Sequence, residues 1–239
     1  MGLYEYKTVM RYQDIGEDNR LSDRGVLNIL GEAAGSHAEN IGYGLTYAME
    51  TGFVWMLLYW KIKVLKRPSW RTEITVKTWV RNIEKVASWR NFEMYDEAQE
   101  LVAIGTTKWA FIDTNTGRPA KITEEMGEAF GQIEKDIFDE ETNGKLQESE
   151  NMQKIYEYTS ERRDIDVNHH VNNVIYLDLT YNAFPENSKL DFDNFEIYYK
   201  KQIKLGETVS VFYQNENNVH IVSVKSQDEK TLHAILKFY

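Results

Sequence analysis

The chain contains no cysteine. That excludes disulfides, thiolate catalysis and cysteine metal sites, and it fits a reducing compartment. Long apolar runs are also missing. The longest, residues 53–60, is far too short to span a bilayer. The opening Met-Gly-Leu-Tyr-Glu-Tyr-Lys has no basic region followed by an apolar stretch, so no signal peptide is expected. Tyr6 stands where a myristoylation pattern needs Ser or Thr. Positive charge is scarce: 28 Lys and Arg against 38 Asp and Glu give a net charge of −10, which argues against nonspecific nucleic-acid binding. What is present is enough for a full core, with 239 residues of which 42% are hydrophobic. The expectation is a soluble cytoplasmic protein with no membrane or nucleic-acid partner.

The most concentrated chemistry lies at residues 162–173, Arg-Arg-Asp-Ile-Asp-Val-Asn-His-His-Val-Asn-Asn. Read as an extended segment, it alternates with a period of two. Asp164, Asp166, Asn168 and His170 then share one face, while Ile165, Val167, His169 and Val171 share the other. One face would carry carboxylate, amide and imidazole in a row, a set able to move protons and hold a polarised carbonyl. A metal role for His169 and His170 has no other ligand spacing behind it. Ser36, His37 and Glu39 supply triad letters mid-helix, without the Gly-x-Ser-x-Gly turn that would make them catalytic.

The chain also contains a weak internal repeat. Asp14-Ile15 aligns with Asp164-Ile165, and Ile62, Ile74 and Val76 align with Ile197, Val209 and Val211. Each half reads as one long helix followed by antiparallel strands. Ser22 caps the first helix, with Val26, Leu30, Ala33, Ala34 and His37 at helical spacing. Gly31 and Gly35 would let a sheet approach its backbone closely. Asn172 or Asn173 caps the second helix. Strands are predicted over 54–65, 71–81, 87–95 and 102–113, and again over 193–203, 208–214, 219–226 and 232–239. The predicted organisation is a first repeat at 1–122, an acidic connection at 123–155 that is part helical, and a second repeat at 156–239. The fold class is α+β, each long helix wrapped by a curved antiparallel sheet. Under the repeat, Asp166, Asn168 and His170 correspond to Gly16, Asp18 and Arg20. One active site per chain follows, with the first half free to shape a pocket.

The stretch Asp-Ile-Asp-Val-Asn-His-His-Val-Asn-Asn-Val closely resembles the signature of the acyl-[acyl carrier protein] thioesterases of plants and bacteria, a double-hotdog family. Trp60-Lys-Ile-Lys-Val, Arg67-Pro-Ser-Trp, Arg90-Asn-Phe-Glu-Met-Tyr-Asp and Trp109-Ala-Phe-Ile-Asp resemble its strand motifs. The resemblance implies a tandem hotdog fold and hydrolysis of a fatty acyl thioester on the phosphopantetheine arm of an acidic acyl carrier protein. It places the catalytic set on Asp166, Asn168 and His170. The family's further acidic residue falls on Gln202, which cannot act as a base. The Cys that follows it in plant members is Ile203 here.

The residues themselves allow the reaction. An imidazole with an unperturbed pKa of about 6.5 can take a proton from water near neutral pH. Asp166 can orient His170 or attack the carbonyl itself, and both routes remain open at this point. Backbone N–H groups at Val171, Asn172 and Asn173 are the expected oxyanion donors. Arg162, Arg163, Lys200, Lys201 and Lys204 form the expected docking cations for the carrier. No metal or cofactor is expected. An acyl-CoA thioesterase and a non-catalytic acyl-binding protein are the alternatives. A monomer and a homodimer both fit.

Overall fold

The structure is a computed structural model describing residues 2–140, 142–186, 188, 190 and 192–239. The chain divides into two compact units, Met1–Asn143 and Gly144–Tyr239.

Unit 1 begins with β1 (Leu3–Val9) and a 3-10 turn at Tyr12–Asp14, then α1 (Asp23–Asn40) and α2 (Leu45–Thr51). It continues through β2 (Phe53–Val64), β3 (Glu73–Ile83), β4 (Ala87–Tyr95), β5 (Leu101–Asp113), the short β6 (Arg118–Pro119) and α3 (Glu124–Phe130). Its strands run antiparallel in the order β1-β3-β4-β5-β2, with β6 on β5. The hydroxyl of Ser22 accepts the Gly25 N–H at 3.0 Å and starts α1 as expected. Val26, Leu30, Ala33, Ala34 and His37 are all buried, and the helix packs against β1 and β3. Burying each larger apolar side chain of this stripe contributes about 1.5–3 kcal/mol.

The glycines behave differently from the expectation. A Cβ at Gly31 or Gly35 would meet nothing within 4 Å, so neither allows a close approach. Gly25 does, because a Cβ there would stand 2.1 Å from the Asp14 carbonyl oxygen. The helix and the preceding turn can touch only at a residue without a side chain.

Unit 2 repeats the plan with β7 (Gln153–Thr159), a 3-10 turn at Arg162–Asp164, α4 (Ile175–Tyr181), β8 (Asn194–Tyr199), β9 (Thr208–Glu216), β10 (Val219–Ser226) and β11 (Leu232–Phe238). The order β8-β11-β10-β9-β7 matches β2-β5-β4-β3-β1 strand for strand. The α+β class therefore holds, but the second helix is not long. α4 has 7 residues against 18 in α1. Ala183 and Phe184 donate to Thr180 and Tyr181, three residues back, so the last turn tightens just before Pro185. Proline restricts its predecessor and offers no N–H, which ends the helix.

The segment read as a connection is divided between the units. In its first part, Thr123 caps α3, whose Met126 and Phe130 pack with Val80, Phe111 and Ile122 in the core of unit 1. The boundary of the compact units falls at Asn143 and Gly144.

Candidate active site

Residues 162–173 do not form an extended strand. A 3-10 turn at Arg162–Asp164 leads into a tight reversal, closed by an isolated bridge between Ile165 and Val171. The Asp166 N–H donates to the His170 carbonyl at 2.9 Å, and the His169 N–H donates to the Asp166 carbonyl at 3.0 Å. One oxygen of Asp166 accepts the Asn168 N–H at 2.8 Å, the Asx arrangement that makes Asp and Asn favoured turn residues. His169 takes the left-handed conformation at φ 61°. The period-two reading is thus corrected: His169 is exposed rather than packed, and Val167 is 70% exposed.

The polar residues separate into two kinds. Asp164 is buried and structural, accepting the Glu161 N–H at 2.6 Å and the Tyr158 hydroxyl. Asp166 and His170 are half-buried and Asn168 is exposed, so these three remain accessible within one turn. No hydrogen bond joins the Asp166 carboxylate to the His170 ring among the described residues. The Nδ1 atom of His170 is buried without a hydrogen-bond partner. An unpaired buried polar atom is uncommon and calls for a reason.

Two of the three expected oxyanion donors are already spent. The Val171 N–H donates to the Ile203 carbonyl at 2.9 Å, and the Asn172 N–H donates to the Asp164 carbonyl at 2.8 Å. Of the three, only Asn173 keeps a backbone N–H with no acceptor among the described residues. Neither Asn172 nor Asn173 caps α4 as expected: the helix opens at Val174 without a side-chain cap, and the Asn172 side-chain oxygen accepts the Val174 N–H at 2.9 Å in an Asx turn just before it.

The turn rests on buried tyrosines. The Tyr176 hydroxyl accepts the Ile203 N–H at 3.2 Å, and Tyr199 donates to the Asn173 carbonyl at 3.0 Å. Burial pushes the Tyr176 pKa up, the Ile203 N–H opposes this, and the negative charges of Glu207 and Asp166 raise it further. Gln202 is half-buried and precedes Ile203, so it sits one residue from the main-chain contact with Val171. Arg162, Arg163, Lys200, Lys201 and Lys204 are all exposed, and Arg163 is paired with Glu161 at 3.2 Å. Sequence reasoning missed His233 and Glu207. His233 is fully buried on β11, with Nδ1 3.0 Å from the Lys201 carbonyl and Nε2 3.3 Å from the Glu207 carboxylate. Only the pairing of β11 with the 200–203 segment brings it there.

The first repeat builds the same turn without the chemistry. Its 3-10 turn at Tyr12–Asp14, the Ile15–Leu21 bridge, the Gly16 N–H to Arg20 carbonyl bond at 2.8 Å and Asn19 at φ 63° all match. Gly16, Asp18 and Arg20 occupy the places of Asp166, Asn168 and His170, as the sequence alignment predicted. Arg67 occupies the place of Gln202 and is bound to the Leu21 carbonyl at 2.9 Å and to Asp23 at 2.6 Å.

Two successive repeats of helix on antiparallel sheet, one of them keeping a polar turn, define a tandem hotdog protein. The profile of the acyl-ACP thioesterase N-terminal domain matches residues 2–130, and that of the C-terminal domain matches residues 147–237. The chain belongs to the acyl-ACP thioesterase family. It is 25% identical over 199 residues to the chloroplastic oleoyl-acyl carrier protein thioesterase 2 of Arabidopsis thaliana, covering 77% of this chain and 54% of that protein. The chain thus spans just over half the length of that relative. An acyl-ACP thioesterase from Bacteroides thetaiotaomicron has the same fold, with a TM-score of 0.86, 24% identity and coverage of 99% of this chain and 96% of that one. The 12:0-ACP thioesterase from Umbellularia californica gives a TM-score of 0.85 at 20% identity, with coverage of 99% and 96%. Among the described residues no helix is long and apolar enough to cross a membrane.

Proposed function

We propose that the protein hydrolyses fatty acyl-[acyl carrier protein] thioesters to free fatty acid and holo-carrier protein, ending chain elongation in a reducing, cytoplasmic compartment. The observation that carries this reading is the turn at 166–170: an Asp-Asn-His set held open in the second repeat of a family member and absent from the same turn in the first. His170 is the general base that takes a proton from the attacking water. Asp166 stabilises the imidazolium that forms, from within the same turn, and Asn168 orients the water or the carbonyl. The thiolate leaves readily, so no strong acid is needed at position 202 and Gln202 is compatible with turnover. The Asn173 N–H is the remaining backbone donor for the oxyanion.

The direct test is mass spectrometry of fatty acid released from acyl-carrier protein by the wild type, His170→Ala and Asp166→Ala. Loss of release in both variants is expected. Equal release by all three discards this site, and no release by the wild type favours an acyl-binding role on the same fold. Turnover of acyl-CoA beside the carrier-bound substrate separates the two thioesters.

Arg162, Lys200, Lys201 and Lys204 are the proposed carrier-docking cations, exposed around the turn on a chain of net charge −10. Rates on the carrier-bound substrate should then fall steeply with salt, because exposed charges are screened within about 10 Å at 0.1 M. Rates on a short acyl-pantetheine should not. The same salt dependence for both substrates removes the docking assignment.

A further inference from the structure

The two repeats hold corresponding loops with the same main-chain hydrogen bonds. In unit 2, Lys200 and Lys201 N–H groups donate to the His233 carbonyl at 2.8 and 3.2 Å, Ser160 N–H to Glu207 at 3.1 Å, and Val171 N–H to Ile203 at 2.9 Å. In unit 1, Leu65 and Lys66 donate to Val102 at 2.8 and 3.1 Å, Met10 to Thr72 at 3.0 Å, and Leu21 to Pro68 at 2.9 Å. Both repeats therefore build the same backbone arrangement with different side chains behind it.

Those side chains differ in kind. Unit 1 uses Val102, Met10 and Val26, all buried and apolar, with Thr72 half-buried beside them. Unit 2 has His233, Ser160 and Tyr176 buried in the corresponding places, with Glu207 half-buried. Their polar atoms converge on one segment. His233 Nδ1 lies 3.0 Å from the Lys201 carbonyl. Glu207 accepts the Lys204 N–H at 3.0 Å, and its other carboxylate oxygen stands 3.3 Å from His233 Nε2, close but without hydrogen-bond geometry. Ser160 donates to the Lys204 carbonyl at 2.5 Å, and Tyr176 accepts the Ile203 N–H at 3.2 Å. Buried polar groups cost stability unless fully paired, and an apolar set of similar volume is often neutral or better. The first repeat is such a set, in the copy that lacks the Asp-Asn-His residues.

We propose that His233, Glu207 and Tyr176 are positioning residues of the hydrolytic site, fixing the 200–203 segment against the turn that carries Asp166 and His170. They act through the main chain: Ile203 holds Val171, the residue after His170, and the same segment carries Gln202. This inference rests on the hydrolytic reading above.

The test gives unit 2 the residues of unit 1. His233→Val, Glu207→Thr and the double variant should fold and melt no lower than the wild type. Their kcat on acyl-carrier protein should drop at least tenfold while KM stays within twofold, and the double should lose no more than the worse single. Glu207→Gln keeps the acceptor for the Lys204 N–H and a polar group beside His233, and should stay within threefold of the wild type. Tyr176→Phe, which retains the ring, supplies the same readout if the double variant fails to fold. Variants that melt lower with kcat per folded molecule unchanged would reduce the set to a structural role and overturn the proposal. Amide exchange at Val171 and Ile203 separates the two readings. If the wild type releases no fatty acid, hydrolysis fails. Unchanged exchange at these amides in the variants would then independently refute the positioning role.

Discussion

Replacing Asp166 with Asn isolates the charge that the proposed mechanism needs. The amide oxygen can still accept the Asn168 N–H that Asp166 accepts at 2.8 Å, so the turn should persist. What disappears is a unit negative charge near an imidazole that becomes positive in the transition state. A main-chain hydrogen bond of 2.9 Å, from the Asp166 N–H to the His170 carbonyl, joins the two residues across the turn. For two unit charges brought to about 6 Å in the transition state, at an effective dielectric of about 20, Coulomb's law sets an upper bound of about 2.8 kcal/mol on the lost attraction. That corresponds to a fall in kcat of up to about 100-fold. Asp166→Ala removes the turn bond as well and should also cost about 1 kcal/mol of local stability. Single-turnover release of labelled fatty acid gives kcat, and thermal melts give the stability of each variant. The expected pattern is a large rate loss in both and a stability loss only in Asp166→Ala. An Asp166→Asn enzyme within threefold of wild type would refute the electrostatic role. Incorporation of oxygen-18 from labelled water into Asp166 during turnover would replace water attack with attack by the carboxylate itself.

Within α1, Gly25→Ala should destabilise unit 1 by about 3 kcal/mol or more, because its Cβ meets a carbonyl oxygen fixed by both the N–H and the hydroxyl of Ser22. Gly31→Ala and Gly35→Ala, with open space at their Cβ positions, should each stabilise by about 0.5–1 kcal/mol. Melting temperatures should separate the first from the other two by several degrees, and a neutral Gly25→Ala would contradict the packing described. His37 supplies a pH prediction. Burial and the neighbouring Arg90 charge hold its pKa down to about 3. The unfolded chain therefore takes up a proton below about pH 6.5 that the folded chain refuses. Stability should be flat above that pH and fall as the pH drops from about 6.5 toward 3. His37→Phe should make this acid limb shallower in melts between pH 7 and 4.

Two strands were legible to their exact bounds in the sequence alone. β4 and β10 run over the predicted residues, because Ala87–Tyr95 and Val219–Ser226 have bounded apolar patterns. β1 and β7 were not legible. Each lies at an edge of its sheet with no fully buried residue, so its sequence lacks the apolar stripe that marks a strand. The candidate site was legible as a group of neighbouring polar residues but not as a shape. Period-two polarity at 164–171 arises from an Asx turn followed by a left-handed residue, and the pattern alone does not separate that from a strand.

The sequence by itself determined the fold class and the duplication, and it singled out Asp166, Asn168 and His170 as the candidate set that the first copy lacks. These follow from local pattern and composition, which act over a few residues at a time. Tertiary structure decided which groups are free. It buried Asp164 as a structural cap, spent the Val171 and Asn172 N–H groups on distant carbonyls, and left His170 Nδ1 unpaired. It also brought His233 on the last strand to Lys201 and Glu207. Such contacts depend on strand pairing across long stretches of chain, and no local pattern encodes them.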